Sequence, residues 1–186
     1  MKCKACLLPL LLLFSSLNII AQKTVNTKTS PTEMDPEKSI LKNTETSENH
    51  KTLLAVLKAT DLDDVLNHDG PFTVFAPSDL AFENLTSKTV AELLDPNYKR
   101  ELQSLMRYHI IAGSFSASKI LKAMCRGEGK ASFTTVQGNE LIASMEGVDI
   151  ILTDNLGNTA KIITADSNQC NGVIHEIDSV IKPSKL

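Results

Sequence analysis

Apolar positions follow helical spacing in the first half of the chain and alternate in its last third. Leu53, Leu54, Val56 and Leu57 predict an amphipathic helix, and Leu62, Val65 and Leu66 repeat the spacing in a shorter turn carrying Asp61, Asp63, Asp64 and Asp69. Upstream, Asp35-Pro36-Glu37 combines an N-cap, a proline at the first helical position and an early acid, which predicts a helix start there. Phe72 to Ala76 is a β-type run ended by Pro77, and Ser78 can cap a helix carrying Leu80, Ala81, Phe82 and Leu85. Thr89-Val90-Ala91-Glu92 has capping-box spacing before Leu93 and Leu94. Asp95-Pro96 starts a further helix through Leu102, Leu105 and Met106, which runs into a short strand, Tyr108 to Ile111, ended by Gly113. Ser116 caps a last helix with Ile120, Leu121 and Met124.

From there the period is two. Ser132 to Val136, a turn at Gln137-Gly138-Asn139 and Leu141 to Met145 read as a hairpin. Val148, Ile150 and Leu152 alternate with polar residues, residues 154–158 make a turn, and Ala160 and Ile162 alternate again. Asn171-Gly172 precedes a last strand, Val173 to Ile177, and Pro183 stops the pattern. Helices followed by a run of mostly antiparallel strands predict an α+β fold, with no internal repeat.

The N-terminus is of another kind. Lys2 and Lys4 precede an apolar run from Leu7 to Leu17, too short for a bilayer core of roughly 30 Å, and Ala21-Gln22 offers a cleavage point. Residues 1–21 are therefore expected to be a secretory signal, 22–35 a polar tether and 36–184 one folded domain. Cys3-Lys4-Ala5-Cys6 is then a chance C-x-x-C in a discarded leader. Cleavage also removes two lysines from a chain whose 19 Lys+Arg already trail 22 Asp+Glu, so the processed protein is the more acidic. That balance, with no Trp and 4% aromatics, argues against a nucleic-acid ligand held by phosphate contacts and base stacking. No membrane span is expected in the processed chain. Cys125 and Cys170 remain, an even pair in an oxidising compartment. A disulfide between them would close a loop worth ~4 kcal/mol by chain entropy; two free thiols are the alternative.

Catalytic and metal motifs are thin. Ser39-Ile40-Leu41-Lys42 and Ser116-Ala117-Ser118-Lys119 both match S-x-x-K, but no S-D-N or K-T-G accompanies them, and Ser116 already has a capping role. His50, His68, His109 and His175 show no zinc spacing. Asp61-x-Asp63 opens like a calcium loop yet has Leu66 at position six and Phe72 at twelve, so a solvated acidic helix face fits better. No catalytic residue, metal or cofactor is assigned. His109 and His175 have two readings: half-buried imidazoles that tighten a core, or, for Tyr108-His109, an exposed recognition pair.

Phe72-Thr73-Val74-Phe75-Ala76-Pro77-Ser78-Asp79-x-Ala81-Phe82 resembles the first signature of the fasciclin domain. Tyr108-His109-Ile110 resembles its central Tyr-His element, and Asn171-Gly172-Val173-Ile174-His175-x-Ile177-Asp178, followed by Val180 and Pro183, its second signature. Thr134 to Gly138 falls where that family has a Thr-Val-x-Gly hairpin. The likeness runs from about Glu37 to Pro183. Two positions depart from it: Glu176 replaces an apolar residue, which makes the outward face of that strand more acidic, and Cys170 replaces a serine. Much of each signature is fold chemistry: Phe75 and Phe82 supply core volume, Pro77 ends a strand, Ser78 and Asp79 can satisfy the free N–H groups of the next helix, and Asn171-Gly172 permits the turn into the last strand.

The resemblance implies a β-wedge flanked by several short helices, exported to the periplasm or cell exterior. It implies an adhesion or binding module without catalysis, whose partner is a surface or matrix protein, a glycan or a second copy of itself. Tyr108 and His109 are the binding residues it points to. An envelope- or stress-associated structural protein without a dedicated ligand is the alternative.

Overall fold

A computed structural model describes residues 34–85, 92 and 94–183. The expected leader, most of the tether and most of the Thr89–Glu92 capping box lie outside the described residues. In chain order the described elements are α1 (Ile40–Thr46), α2 (Lys51–Ala59), α3 (Asp63–His68), β1 (Phe72–Pro77), α4 (Asp79–Glu83), a 3₁₀ turn (Pro96–Tyr98), α5 (Lys99–Tyr108), β2 (Ile110–Ala112) and α6 (Ala117–Arg126). Five strands follow: β3 (Lys130–Thr134), β4 (Glu140–Glu146), β5 (Asp149–Thr153), β6 (Thr159–Gln169) and β7 (Gly172–Ile177).

The strands form one sheet in the order β2-β1-β7-β6-β5-β4-β3. The sheet curls until its two ends meet at a single antiparallel bridge, Ile111 to Thr135. Among the described strands all pairings are antiparallel except β1 with β7, where Phe72 lies opposite Gly172 and Pro77 opposite Ile177. The fold is thus of the α+β class that the pattern predicted, with the strand wedge and flanking helices that the resemblance implied.

Alternation along β1 explains the two cores. Val74 and Ala76 face α1 to α5, where they meet Leu53, Val56, Leu57, Phe82, Leu102 and Met106. Phe75 points into the curl of the sheet, among Tyr108, Ile120, Leu141, Leu152 and Ile177. Leu53, Val56 and Leu57 are the buried stripe of α2, while Lys51, Ala55 and Lys58 are exposed.

Three expectations are corrected. The first helix begins at Ile40 rather than Pro36, because Asp35 turns the chain first: its carboxylate takes Glu37 N–H at 3.0 Å and its carbonyl takes Lys38 N–H at 3.1 Å. Strand β6, whose alternation is legible only through Ile162, runs on to Gln169 with register shifts around Asp166, whose φ is +61°. The third concerns the cysteines. Cys125 and Cys170 are free and exposed. Cys125 lies in the last turn of α6, which packs on β3 and β4, whereas Cys170 sits in the β6–β7 turn, with its N–H bonded to Lys38 O. An even count and a compartment say nothing about Cα separation, which must be under roughly 7 Å for a bridge.

Candidate functional site

Tyr108 closes α5 and His109 is its C-cap. Leu102, Leu105 and Met106 hold one face of that helix in the helical core, so Tyr108 is carried round into the curl of the sheet. Both residues are 0% exposed. The Tyr108 hydroxyl donates to Glu140 O at 2.9 Å. His109 Nδ1 donates to Leu105 O at 2.8 Å, and its Nε2 accepts from Ile181 N–H at 3.3 Å. Burial depresses the His109 pKa to about 4 against a smaller opposing effect of the Leu105 carbonyl, and burial likewise raises that of Tyr108. The reading of this pair as a surface recognition element is therefore corrected: each polar tip is already bonded inside the protein.

His175, also 0% exposed, stacks on Phe75 with ring centroids 5.7 Å apart. Its Nε2 donates to Phe115 O at 2.8 Å and its Nδ1 accepts from Asp166 N–H at 3.2 Å. Burial lowers its pKa, opposed by the Phe115 carbonyl. Asp166 in turn accepts Ala117 N–H, the first of α6, at 2.7 Å. Phe115 N–H is held at 2.9 Å by the Thr73 hydroxyl, which itself donates to Gly113 O at 2.7 Å. Residues 113–117 are thus pinned to β1, β6 and β7. Thr73 and Asp166 were not singled out from sequence; Thr73 inside the first signature was the available signal.

The other signature residues also hold segments together. Ser78 caps α4 by accepting Ala81 N–H at 3.2 Å. Asp79 does not serve its own helix; its carboxylate reaches back to the start of α2, taking Thr52 N–H at 2.7 Å and Lys51 N–H at 3.2 Å. Asn171 accepts Ile40 N–H at 2.9 Å and donates to Leu66 O and Asp69 O at 2.9 and 2.8 Å, clasping α1 to the end of α3. Asp178 accepts Lys161 N–H at 2.8 Å. Pro77 and Phe82 are buried. Both S-x-x-K matches are helix caps: Ser39 accepts Lys42 N–H and Ser116 accepts Lys119 N–H.

The signature side chains are thus largely interior, and concavities among the described residues lie elsewhere on the surface. One, about 420 Å³, is acidic, with Glu48, Asp79, Glu83 and Glu176 around it. Asp79 is engaged by α2 and Glu176 accepts the Thr164 hydroxyl at 3.0 Å. Another, about 540 Å³, lies at the seam where the sheet ends meet, between Ala112 of β2 and Ser132 and Thr134 of β3. Its floor includes Phe115 and Phe133, packed edge to face with centroids 5.2 Å apart. Among the described residues no three His, Cys, Asp or Glu side chains converge as metal ligands, and no helix is long and apolar enough to cross a membrane.

A family model, the Fasciclin domain, matches residues 48–183. Protein sll1483 of Synechocystis sp. is 38% identical over 141 residues, covering 74% of this chain and 69% of that protein. Human periostin is 31% identical over 148 residues, 80% of this chain but 16% of periostin. In fold, the chain is similar to a FAS1 domain pair from the insect cell adhesion molecule Fasciclin I. The TM-score is 0.69 at 18% identity, and the match covers 78% of this chain and 51% of that one.

Proposed function

Because this chain belongs to the fasciclin domain family, we propose that it is an exported, non-catalytic adhesion module that binds a surface or matrix protein, a glycan or a second copy of itself. The observation that carries this reading is the fate of the signature side chains. Tyr108, His109 and His175 are 0% exposed with their polar atoms bonded, so they build the scaffold and leave the surface free for partners. The similar solved structure comes from a protein described as a cell adhesion molecule, which agrees with that use of the fold.

The test is retention of labelled, processed protein on cells, immobilised matrix proteins and glycan arrays. Saturable retention that is lost on unfolding is expected on at least one of these supports. A folded sample retained by none of them, and showing no self-association, overturns the reading. Replacing Tyr108 and His109 together by alanine is expected to lower retention and the unfolding midpoint in parallel, since both side chains are interior.

A further inference from the structure

We propose that the concavity at the seam of β2 and β3 is a carbohydrate site that holds one neutral pyranose unit of a glycan. This names a partner class within the adhesion reading and rests on that reading. Backbone pairing sets the polar groups that the concavity offers. In an antiparallel ladder, residues that exchange bonds with the partner strand alternate with residues whose N–H and C=O point away from it. Thr135 N–H bonds Asn139 O at 2.9 Å, so in the β3–β4 register Phe133 and Leu141 are a bonded pair. Lys130, Ser132 and Thr134 therefore turn their backbone groups toward the seam. Two of them are engaged there: Lys130 N–H reaches Gly127 O at 3.1 Å, and Thr134 adjoins the Ile111–Thr135 bridge to β2. Among the described residues, Ser132 alone keeps both an N–H and a C=O free at the seam.

The rest of the lining narrows the ligand. None of the described residues around the concavity is charged, so an ionic group would leave water without meeting a counter-charge. A plain hydrocarbon would cover the Ser132 N–H and C=O without bonding them. An extended peptide needs a row of free backbone pairs, and one residue supplies only one. A neutral pyranose meets all three conditions. Its neighbouring hydroxyls accept from the Ser132 N–H and donate to the C=O, while its C–H groups pack on an electron-rich aromatic ring. Phe115, half-buried in the concavity, supplies the ring, and the exposed hydroxyls of Ser132 and Thr134 stand on the opposite wall. The volume of about 540 Å³ lies within the roughly 300–1,000 Å³ usual for small-ligand sites.

The site is also preformed. Phe115 N–H is held by the Thr73 hydroxyl and its carbonyl by His175, and its ring packs edge to face on the buried Phe133. Two signature residues thus fix the aromatic wall before any ligand arrives, which reduces the ordering cost of binding.

The probes are the methyl glycosides of glucose, galactose, mannose and N-acetylglucosamine. Methyl glucuronide serves as the anionic control, and cyclohexanol as a ring without neighbouring hydroxyls. Amide shifts and hydrogen exchange are followed in isotopically labelled processed protein. At least one neutral glycoside is expected to shift the Phe115, Ser132 and Thr134 amides saturably and to slow exchange at Ser132. Both controls are expected to bind at least tenfold more weakly. Phe115→Leu, which keeps apolar bulk but removes the ring, is expected to lose at least tenfold in affinity with little change in the unfolding midpoint. If that variant fails to fold, the controls and the Ser132 exchange decide. No saturable change at these amides with any neutral glycoside at tens of millimolar overturns the proposal. So does a control that binds as well as the best glycoside, or a folded Phe115→Leu that binds as well as the unaltered protein. If every glycoside fails while retention on cells or matrix proteins persists, the site falls and the adhesion reading stands. If a glycoside binds as expected but the protein is retained on no support and does not self-associate, the site stands and the adhesion reading falls.

Discussion

In His109 the ring proton sits on Nδ1, facing the Leu105 carbonyl, so Nε2 must accept from Ile181; in His175 the proton sits on Nε2 and Nδ1 accepts from Asp166. A second proton on either ring would point a donor at another N–H in a buried site. Burial is the main cause of the depressed pKa values, and this arrangement acts in the same direction. His109, pulled down to about 4 by burial, stays neutral in the folded protein where an unfolded chain already protonates near 6.5. The unfolded state then binds the extra proton, so stability is fully present above about pH 6.5 and is lost as pH falls toward 4. For His109 alone this is on the order of 3 kcal/mol. Burial moves His175 and His50 the same way, and the Nε2 of His50 is buried without a hydrogen-bond partner. Urea unfolding at pH 7 and pH 5 is expected to show this loss, with His109→Gln less stable at pH 7 but shallower in its pH dependence. An unchanged slope in that variant would assign the effect to other groups.

At the scale of elements, three described helix starts are capped by a serine of their own and one is capped from afar. Ser39, Ser78 and Ser116 each accept the N–H three residues on, a local arrangement that the sequence announced at Ser78 and Ser116 but not at Ser39. Helix α2 has His50 at its N-cap, with no side-chain cap of its own, and borrows the Asp79 carboxylate from beyond β1. A carboxylate at a helix N-terminus combines charge-assisted bonds with the dipole. Asp79→Ala is expected to cost roughly 2 kcal/mol, and Asp79→Asn about half of that, measured by denaturant unfolding. An effect near zero would mean that solvent caps α2 equally well.

For the whole molecule the decisive contact is the parallel pair β1–β7, which joins the first strand to the last. Gly172 stands opposite Phe72 with φ of +156°, and a Cβ there would collide with the Phe72 carbonyl and press on Ile40. The nearest relief is separation of the two strands, which carry both cores. Gly172→Ala is therefore expected to destabilise the fold by roughly 3 kcal/mol or more, visible as a large drop in the unfolding midpoint. A variant with a normal midpoint would show that β1 and β7 can part locally.

Leu53, Val56 and Leu57, the Phe72–Ala76 run, the Ser78 and Ser116 caps and the hairpin around Gly138 were legible in the chain because periodicity and capping depend on residues a few positions apart. The three signatures made the α+β wedge legible for the same reason. Other features were decided only by tertiary structure: the burial of Tyr108 and His109, the reach of Asp79 to α2, and the separate placement of Cys125 and Cys170. Each depends on how segments tens of residues apart are brought together, and no local pattern of side chains encodes that distance.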